Sequence, residues 1–209
     1  MSLEARLERG LAALGVAVPA SVQARLLDFA ALLLKWNRTY NLTAIRDPEQ
    51  IVTHHLLDSL AVLPHLAGVA TLADVGSGGG LPGIPLALVR PDLTVTSVET
   101  VSKKASFQQQ AKIELGLANF TPRCLRVEQF QPDFPFDGVI SRAFSDLADF
   151  ARLAGHLAGP QGRLFAMKGL LPAEEIAALP GGWEVARSEV LAVPDLDAER
   201  HLIVLKRKN

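Results

Sequence analysis

The sequence predicts an α/β fold in which a mostly parallel sheet follows a helical N-terminal cap. About seventy residues with helical periodicity come first. Apolar strand-like runs then alternate with helical stretches, which is typical of parallel βαβ units. Only a loop joins the last two runs, which indicates a C-terminal antiparallel hairpin. We expect residues 1–70 to form the cap and residues 71–209 to form the sheet domain, packed as one compact unit.

The cap is predicted from two helical stretches. The apolar residues of the first recur at steps of four and three, which places them on one helical stripe; they are Leu26, Phe29, Leu33 and Trp36. The pair Asp47-Pro48 interrupts this pattern, because the residue before a proline is disfavoured in a helix. A second helical stretch, containing residues 54–60, follows.

Six apolar runs are expected to be strands of the sheet. They lie at residues 71–75, 93–98, 137–142, 162–167, 183–192 and 201–206. Helices are expected from Ile84 to Val89, after the first run, and from Ser102, after the second. Ser102 is the expected N-cap of that helix, and Gly116 suits its C′ position.

Composition limits the possible partners and the cellular location of the protein. The chain has 209 residues and a formal net charge of -1, so any nucleic-acid contact has to be a local patch rather than a general basic surface. A single cysteine, Cys124, excludes an internal disulfide framework. The first residues lack the features of a secretion signal, and no apolar run reaches membrane-spanning length. We therefore expect a soluble protein of a reducing cytoplasm, with no membrane partner.

A glycine-dense loop follows the first strand and predicts a nucleoside pocket. Its pattern Gly78-x-Gly80-x-x-Gly83 fits a dinucleotide fingerprint, although such a match is weak by itself. A dinucleotide needs backbone N–H groups for its pyrophosphate, and Pro82 and Pro85 remove two of them. Asp74 adds a negative charge that opposes a phosphate and favours the ammonium and sulfonium of S-adenosylmethionine. The loop thus indicates S-adenosylmethionine; a ligand-free turn is the alternative, disfavoured by the entropy that glycines lose on folding.

Charged residues follow several of the predicted strands, at the edge of the sheet where α/β proteins bind ligands. Glu99 follows the second strand, where an acid contacts a ribose; an exposed strand-end charge is the alternative. Arg142 and Lys168 follow later strands. Arg142 also suits a structural ion pair with Glu128 or Asp146.

Several short stretches, taken in order along nearly the whole chain, resemble the bacterial 16S ribosomal RNA guanine-N(7) methyltransferases, also called glucose-inhibited division protein B. These stretches are Asn41-Leu42-Thr43-Ala44, His55-x-x-Asp58-Ser59, Asp74-x-Gly76-x-Gly78-x-Gly80-x-Pro82-Gly83-Ile84-Pro85, Ser141-Arg142-Ala143, Lys168-Gly169 and Glu199-Arg200-His201-Leu202. Residues 125–128 read Leu-Arg-Val-Glu, where relatives often have Gly-Arg-Ala-Glu. Backbone contacts to an adenine survive that change.

The resemblance implies a Rossmann-like class I methyltransferase with a mostly parallel seven-stranded sheet. It implies transfer of a methyl group from S-adenosylmethionine to N(7) of a guanine in the decoding-region loop of 16S rRNA, with S-adenosylhomocysteine as the product. The family's cofactor contacts fall on Gly76, Leu81, Val127, Glu128 and Arg142. Gly78 and Glu99 are also candidate cofactor contacts, because Gly78 belongs to the glycine loop and Glu99 follows the second strand.

The chemistry of this reaction indicates which residues to expect. N(7) has an unshared pair and carries no proton, so no general base and no catalytic triad are needed. Arg142 and Lys168 are candidates for holding the guanine O6, because arginine and lysine are the usual partners of that atom. The RNA-binding candidates in the cap are Lys35, Arg38, Asn41, Arg46 and His54, with a solvated helix face as the alternative for each.

Further expectations concern metals, partners and rival functions. His54 and His55 are adjacent and face different ways on a helix, so we expect no metal site. The expected partner is 16S rRNA or the small ribosomal subunit, bound by a monomer. The rivals are a methyltransferase acting on another RNA, a small molecule or a protein, a nucleotide-binding oxidoreductase, and a noncatalytic RNA-binding module.

Overall fold

Seven strands form a single sheet in the order β3-β2-β1-β4-β5-β7-β6 in this computed structural model, which describes residues 1–142, 144 and 146–208. The strands are β1 Thr71–Val75, β2 Thr94–Glu99, β3 Phe120–Cys124, β4 Phe136–Ser141, β5 Ala158–Lys168, β6 Trp183–Val190 and β7 His201–Arg207. Strands β1 to β5 pair in parallel. β7 is antiparallel to both β5 and β6. The predicted mostly parallel sheet with its antiparallel C-terminal hairpin is confirmed.

Strand β3 is an addition to the six runs that the apolar pattern indicates. It pairs with β2 at the edge of the sheet, where Phe120 lies beside Val95 and Pro122 beside Ser97. A proline is tolerated on an edge strand, because its missing N–H does not interrupt a ladder on both sides. The end of this strand is polar and exposed, so the strand has no continuous apolar run.

Eight α-helices surround the sheet in the described part of the chain. They are α1 Leu3–Ala13, α2 Ala20–Tyr40, α3 Pro48–Ile51, α4 Asp58–Leu60, α5 Gly83–Val89, α6 Ser102–Glu114, α7 Leu147–Ala154 and α8 Ala173–Ala177. The two predicted cap stretches and the helices after β1 and β2 are confirmed. The predicted cap of α6 is wrong: the N-cap residue is Val101, and Ser102 is already helical. Gly116 has a φ of 60°, as expected of a C′ glycine.

The helical cap and the sheet share one hydrophobic core. Leu7, Phe29 and Leu57 from the cap belong to the same buried cluster as Leu72 and Val95 from strands β1 and β2. A second cluster, which includes Phe150 of α7, covers the other face of the sheet. The placing of a domain boundary at residue 70 remains a prediction.

A π-helical turn, Val52–Leu57, connects α3 to α4. Asp47 begins this stretch by accepting a hydrogen bond from the Glu49 N–H at 2.9 Å. His55 lies on the turn, Asp58 follows it directly, and both are buried. Such turns often occur at functional sites, since they change which side chains face the interior.

Candidate functional site

The glycine loop after β1 has a backbone that requires glycine. Gly76, Gly78 and Gly80 have φ angles of 69°, 53° and 80°, which side chains with a Cβ rarely adopt. The Gly76 N–H donates to the Val98 carbonyl at 2.8 Å, which ties the loop to the end of β2. The loop therefore lies over the carboxyl ends of β1 and β2, as the sequence predicts.

Asp74 of β1 lies behind the loop, and its side chain binds the first residue of helix α5. Its side chain is 0 % exposed, and Oδ2 accepts a hydrogen bond from the Gly83 N–H at 2.8 Å. Burial raises the pKa of this carboxyl to about 7, against the opposing effects of the Gly83 hydrogen bond and the Arg142 charge. The Gly83 N–H at the start of α5 is thus already bound, and Pro82 and Pro85 have no N–H, so this helix offers few free donors to a pyrophosphate.

Glu99 joins the glycine loop to the start of α6. Its carboxylate accepts hydrogen bonds from the Gly78 N–H and the Val101 N–H, each at 2.8 Å. Oε1 also accepts from the Thr100 hydroxyl at 3.4 Å, whereas Oε2 accepts one bond only and can accept a second from a ribose hydroxyl. The structure thus places Glu99 beside the loop, as the sequence predicts.

A hollow opens beside the loop, over the ends of β1 and β2. It has a volume of about 170 Å³ and is lined by residues that include Gly76, Val98, Val127, Glu128 and Phe144. Three sequence-predicted cofactor residues are therefore brought together. A small, mostly apolar hollow with a few polar groups suits a nucleoside base.

Leu81 is placed differently from the other predicted cofactor residues. Its side chain belongs to the core cluster beneath the loop rather than to the lining of the hollow. Its N–H donates to the Ser77 carbonyl at 2.9 Å. Leu81 thus anchors the loop from below.

Arg142 follows β4 and forms an ion pair with the cap. Its Nη2 lies 3.3 Å from Oδ2 of Asp58, whose other oxygen accepts from Arg200 Nε at 2.9 Å. The alternative of a structural ion pair is therefore right in kind, but its suggested partners, Glu128 and Asp146, are wrong, since the partner is Asp58. Asp146 instead caps α7 by accepting from two backbone N–H groups. Three sequence motifs, far apart along the chain, meet at this carboxylate. Ala143, the last residue of the Arg142 motif, lies outside the described residues.

His55 is buried beside this ion pair and is neutral. Burial lowers its pKa to about 4, and the nearby Arg142 charge contributes to the lowering. Nδ1 faces the His54 carbonyl at 3.0 Å and therefore carries the proton, so Nε2 accepts from the Thr43 hydroxyl at 2.8 Å. Thr43 is in turn held by the Asn37 amide, whose Oδ1 accepts from the Thr43 N–H at 2.9 Å. These bonds fix the loop that joins α2 to α3.

Lys168 ends β5, as the sequence predicts, and its ammonium is engaged. Its Nζ donates to Glu175 of α8 at 2.7 Å and to the Phe144 carbonyl at 3.2 Å. Only 10 % of the side chain is exposed. A guanine O6 would therefore share this ammonium with Glu175.

The RNA-binding candidates of the cap divide between two surfaces. Arg38 and Arg46 line a cleft of about 260 Å³ beside Asn37. Lys35 lies in a separate hollow next to Asp28 and Glu114. The remaining candidates are Asn41, which ends α2 with a φ of 50°, and His54, which is half-buried.

Gln108 of α6 is a loop contact that sequence reasoning missed. Its amide nitrogen donates to Ser77 Oγ and to the Gly78 carbonyl, each at 2.8 Å. The amide oxygen accepts from the Ser97 hydroxyl of β2. One signal was available: Gln108 follows Phe107 and lies one turn before Ala111, on the face of α6 that is buried. Such a position usually takes an apolar residue.

The part of the chain that the structure describes has neither a metal-binding cluster nor a membrane-spanning helix. No group of three or more histidine, cysteine, aspartate or glutamate side chains could hold a metal ion. Among the same residues, no helix combines the length and apolar character needed to cross a bilayer.

The sheet order, the C-terminal antiparallel strands and the glycine loop beside the hollow define a Rossmann-like methyltransferase fold. Solved structures share it at low sequence identity. TrmN from Thermus thermophilus has a TM-score of 0.59 and 20 % identity, over 82 % of this chain and 53 % of that one. The O-methyltransferase TomG from Streptomyces achromogenes, solved with SAM, has a TM-score of 0.58 and 16 % identity, over 88 % of this chain and 90 % of that one.

The family described as rRNA small subunit methyltransferase G matches residues 22–203. A relative from Azoarcus sp. (strain BH72), named ribosomal RNA small subunit methyltransferase G, is 66 % identical over 97 % of this chain and 95 % of its own length. One of the same name from Pseudomonas paraeruginosa (strain DSM 24068 / PA7) is 50 % identical over 96 % and 94 %. The chain belongs to this family.

Proposed function

We propose that this protein transfers a methyl group from S-adenosylmethionine to N(7) of a guanine in 16S rRNA and releases S-adenosylhomocysteine. The observation that carries the proposal is the hollow beside Gly76, Val127 and Glu128, which opens at the strand ends that also carry Arg142 in a chain of this family. The mostly apolar lining of this hollow suits a nucleoside base. We expect the protein to act in the cytoplasm as a monomer.

The cofactor is proposed to lie across the glycine loop. The adenine would enter the hollow near Val127 and Glu128, and the ribose would face Glu99. Gly76, Gly78 and Leu81 would shape or support the loop beneath the cofactor. Arg142 would lie on the far side of the cofactor. When bound, S-adenosylmethionine supplies an electrophilic methyl group on a sulfonium. Calorimetry should show binding of S-adenosylhomocysteine and no binding of NAD; the reverse result would support the oxidoreductase alternative.

Positioning is proposed to supply most of the rate acceleration. N(7) attacks without losing a proton, so the protein has to align the guanine with the methyl group, and alignment can contribute roughly 7–11 kcal/mol. Arg142 and Lys168 are proposed to hold the guanine O6. Asp58 and Glu175 orient these cations through the ion pairs described above.

The cleft beside Arg38 and Arg46 is proposed to hold an RNA phosphate. Neither arginine has an ion pair within the described ranges, so both charges are available. The cleft adjoins Asn37, which through Thr43 is linked to His55. A phosphate bound there would thus lie on a surface that is tied to the Arg142 region. Lys35, Asn41 and His54 remain weaker candidates for RNA contact.

A salt titration tests this cleft. Binding to small subunits should weaken with salt, and the double variant Arg38→Ala/Arg46→Ala should lower the slope of log K against log salt by about 0.7–0.9, the value for one neutralised phosphate. Arg163→Ala is the control, since Arg163 is exposed on β5, a strand of the sheet rather than of the cap. An unchanged slope in the double variant would exclude the cleft.

Methyl transfer itself tests the proposed activity. Labelled methyl from S-adenosylmethionine should appear in small subunits that lack the modification, at N(7) of one guanine. Naked 16S rRNA, other RNAs and a protein-free reaction serve as comparisons. Absence of transfer to every RNA would refute the proposal, and transfer only to a different RNA would support the alternative substrate.

A further inference from the structure

A fully buried amide lies beneath the glycine loop. Gln108 is 0 % exposed, and its hydrogen bonds run in three directions: to Ser77 and Gly78 of the loop and to Ser97 of β2. Both N–H donors of the amide and its oxygen are used. Since the cost of desolvating a polar side chain is recovered only when its bonds are made, the orientation of this amide is tightly determined.

Gly78 is consequently held on both of its backbone polar groups. Its N–H donates to Glu99 Oε2 and its carbonyl accepts from Gln108 Nε2, each at 2.8 Å. The two side chains come from different elements, β2 and α6. Its φ of 53° is one of several conformations that glycine adopts readily, so without such contacts the backbone of Gly78 could take another. The two bonds therefore select one conformation of the loop.

We infer that Gln108 is a positioning residue for the cofactor: its amide holds the Gly78 peptide, and through it the loop, in the conformation that binds S-adenosylmethionine. The inference rests on the proposed cofactor site. Gln108 itself lies below the loop and does not line the hollow. It acts by reducing the number of conformations that binding has to select from, which strengthens binding without a new contact.

The amide of Asn119 provides a control that distinguishes positioning of the glycine loop from a general contribution to stability. The Asn119 amide nitrogen donates to the carbonyls of Ala87, Arg90 and Leu93, at 3.0, 3.1 and 2.9 Å. These bonds hold the turn before β2, at the opposite end of that strand from the glycine loop. Asn119→Leu should therefore lower thermal stability without affecting the loop.

The variant Gln108→Met keeps an unbranched side chain of similar length and removes the amide. Calorimetry with S-adenosylhomocysteine, well below the melting temperature of each variant, should show a Kd about tenfold higher than wild type, which corresponds to about 1.4 kcal/mol for the freed Gly78 carbonyl. The KM for S-adenosylmethionine should rise by a similar factor, while the KM for the small subunit stays within twofold. Asn119→Leu should lower the melting temperature and leave the Kd within twofold.

Ser97→Ala is a milder variant that removes only the bond orienting the Gln108 oxygen, and it should raise the Kd by about two- to fivefold. It decides the matter if Gln108→Met does not fold. A Kd within twofold of wild type in the folded loop variants, or an equal rise in Asn119→Leu, would overturn the inference. If the wild-type protein itself binds no S-adenosylhomocysteine, the cofactor proposal fails first and this inference fails with it.

Discussion

The carboxylate of Asp58 lies 3.3 Å from the guanidinium of Arg142 and joins the helical cap to the carboxyl end of strand β4. Asp58 is 1 % exposed and also binds Arg200 at 2.9 Å. One buried negative charge therefore faces two cations. This arrangement holds Arg142, a candidate for both cofactor and guanine contact, at the edge of the proposed site.

Replacing Asp58 by asparagine should weaken both folding and activity. The amide keeps the volume and leaves two guanidinium groups without their counter-charge. Breaking a fully buried pair costs about 3–5 kcal/mol; because both arginines are partly exposed, we expect a loss of about 1–3 kcal/mol in the free energy of unfolding, measured in urea. The kcat/KM for methyl transfer should fall more than tenfold.

Asp149→Asn is the matched control for Asp58, because Asp149 forms an exposed i,i+3 pair with Arg152. Its loss should change the free energy of unfolding by less than about 0.5 kcal/mol. Equal effects of the two substitutions would show that the Asp58 ion pairs contribute no more than a surface pair.

Asp74 should make folding stability depend on pH. Its pKa is about 7 in the folded chain against an ordinary value of 3.8, so between these values the folded state holds a proton that the unfolded state has lost. The stabilising contribution is fully present below about pH 4 and is lost as the pH rises through about 7. Asp74→Asn removes it. The variant should therefore gain stability relative to wild type as the pH rises, by at most about 1.4 kcal/mol per pH unit.

Chemical unfolding of wild type and Asp74→Asn at several pH values measures this difference. The asparagine oxygen can still accept from the Gly83 N–H, so the local geometry is kept. A difference that stays constant between pH 4 and pH 8 would contradict a raised pKa for Asp74.

His55 should also make folding stability depend on pH, but with the opposite sign to Asp74 and over an overlapping pH range. Its pKa falls from 6.5 to about 4 on folding, so the unfolded state binds the proton more readily. Stability from the neutral ring is present above about pH 6.5 and is lost as the pH falls toward 4. Relative to His55→Gln, the wild type should lose up to about 1.4 kcal/mol per pH unit on acidification.

The two titrations oppose one another in the wild-type chain, so the combined contribution of Asp74 and His55 to stability should vary less with pH than either contribution alone. The double variant Asp74→Asn/His55→Gln shows whether the two effects add. A His55→Gln comparison that is flat from pH 7 to pH 4 would show that the ring titrates normally despite its burial.

Gly83→Ala should destabilise the start of helix α5. An added Cβ would lie 2.7 Å from Asp74 Oδ2 and 3.2 Å from Val95. The carboxyl group is enclosed and hydrogen-bonded, so it has no room to move, and we expect a loss of about 1–3 kcal/mol in the free energy of unfolding. Gly181→Ala is the control, since no atom lies within 4 Å of the position of its added Cβ. If the two variants unfold alike, the contact between Gly83 and Asp74 is looser than the structure indicates.

Local patterns predict the elements better than they predict the partners of the charged residues. The stripe through Leu26 and Phe29 predicts helix α2, and the loop-joined last runs predict the antiparallel hairpin, because both patterns follow the periodicity of a regular element. Strand β3 is missed because an edge strand does not need a continuous apolar run. The choice of Ser102 as an N-cap is wrong because the Glu99 carboxylate binds the Val101 N–H at 2.8 Å, and the helix then begins one residue earlier than the serine pattern indicates.

By itself, the sequence determined the α/β class, the alternation of helices and strands apart from β3, and the loop in which glycine is required, since each is a property of neighbouring residues. Only the tertiary structure decided that Arg142 pairs with Asp58, that Asp74 is enclosed beneath its loop, and that Gln108 holds Gly78 from below. The Asp74 and Gln108 contacts join residues that are 9 and 30 positions apart, and the Arg142 contact spans a longer stretch of chain. Which of several charged or polar groups meets another at such a separation depends on how the elements pack, and local periodicity carries no information about that packing.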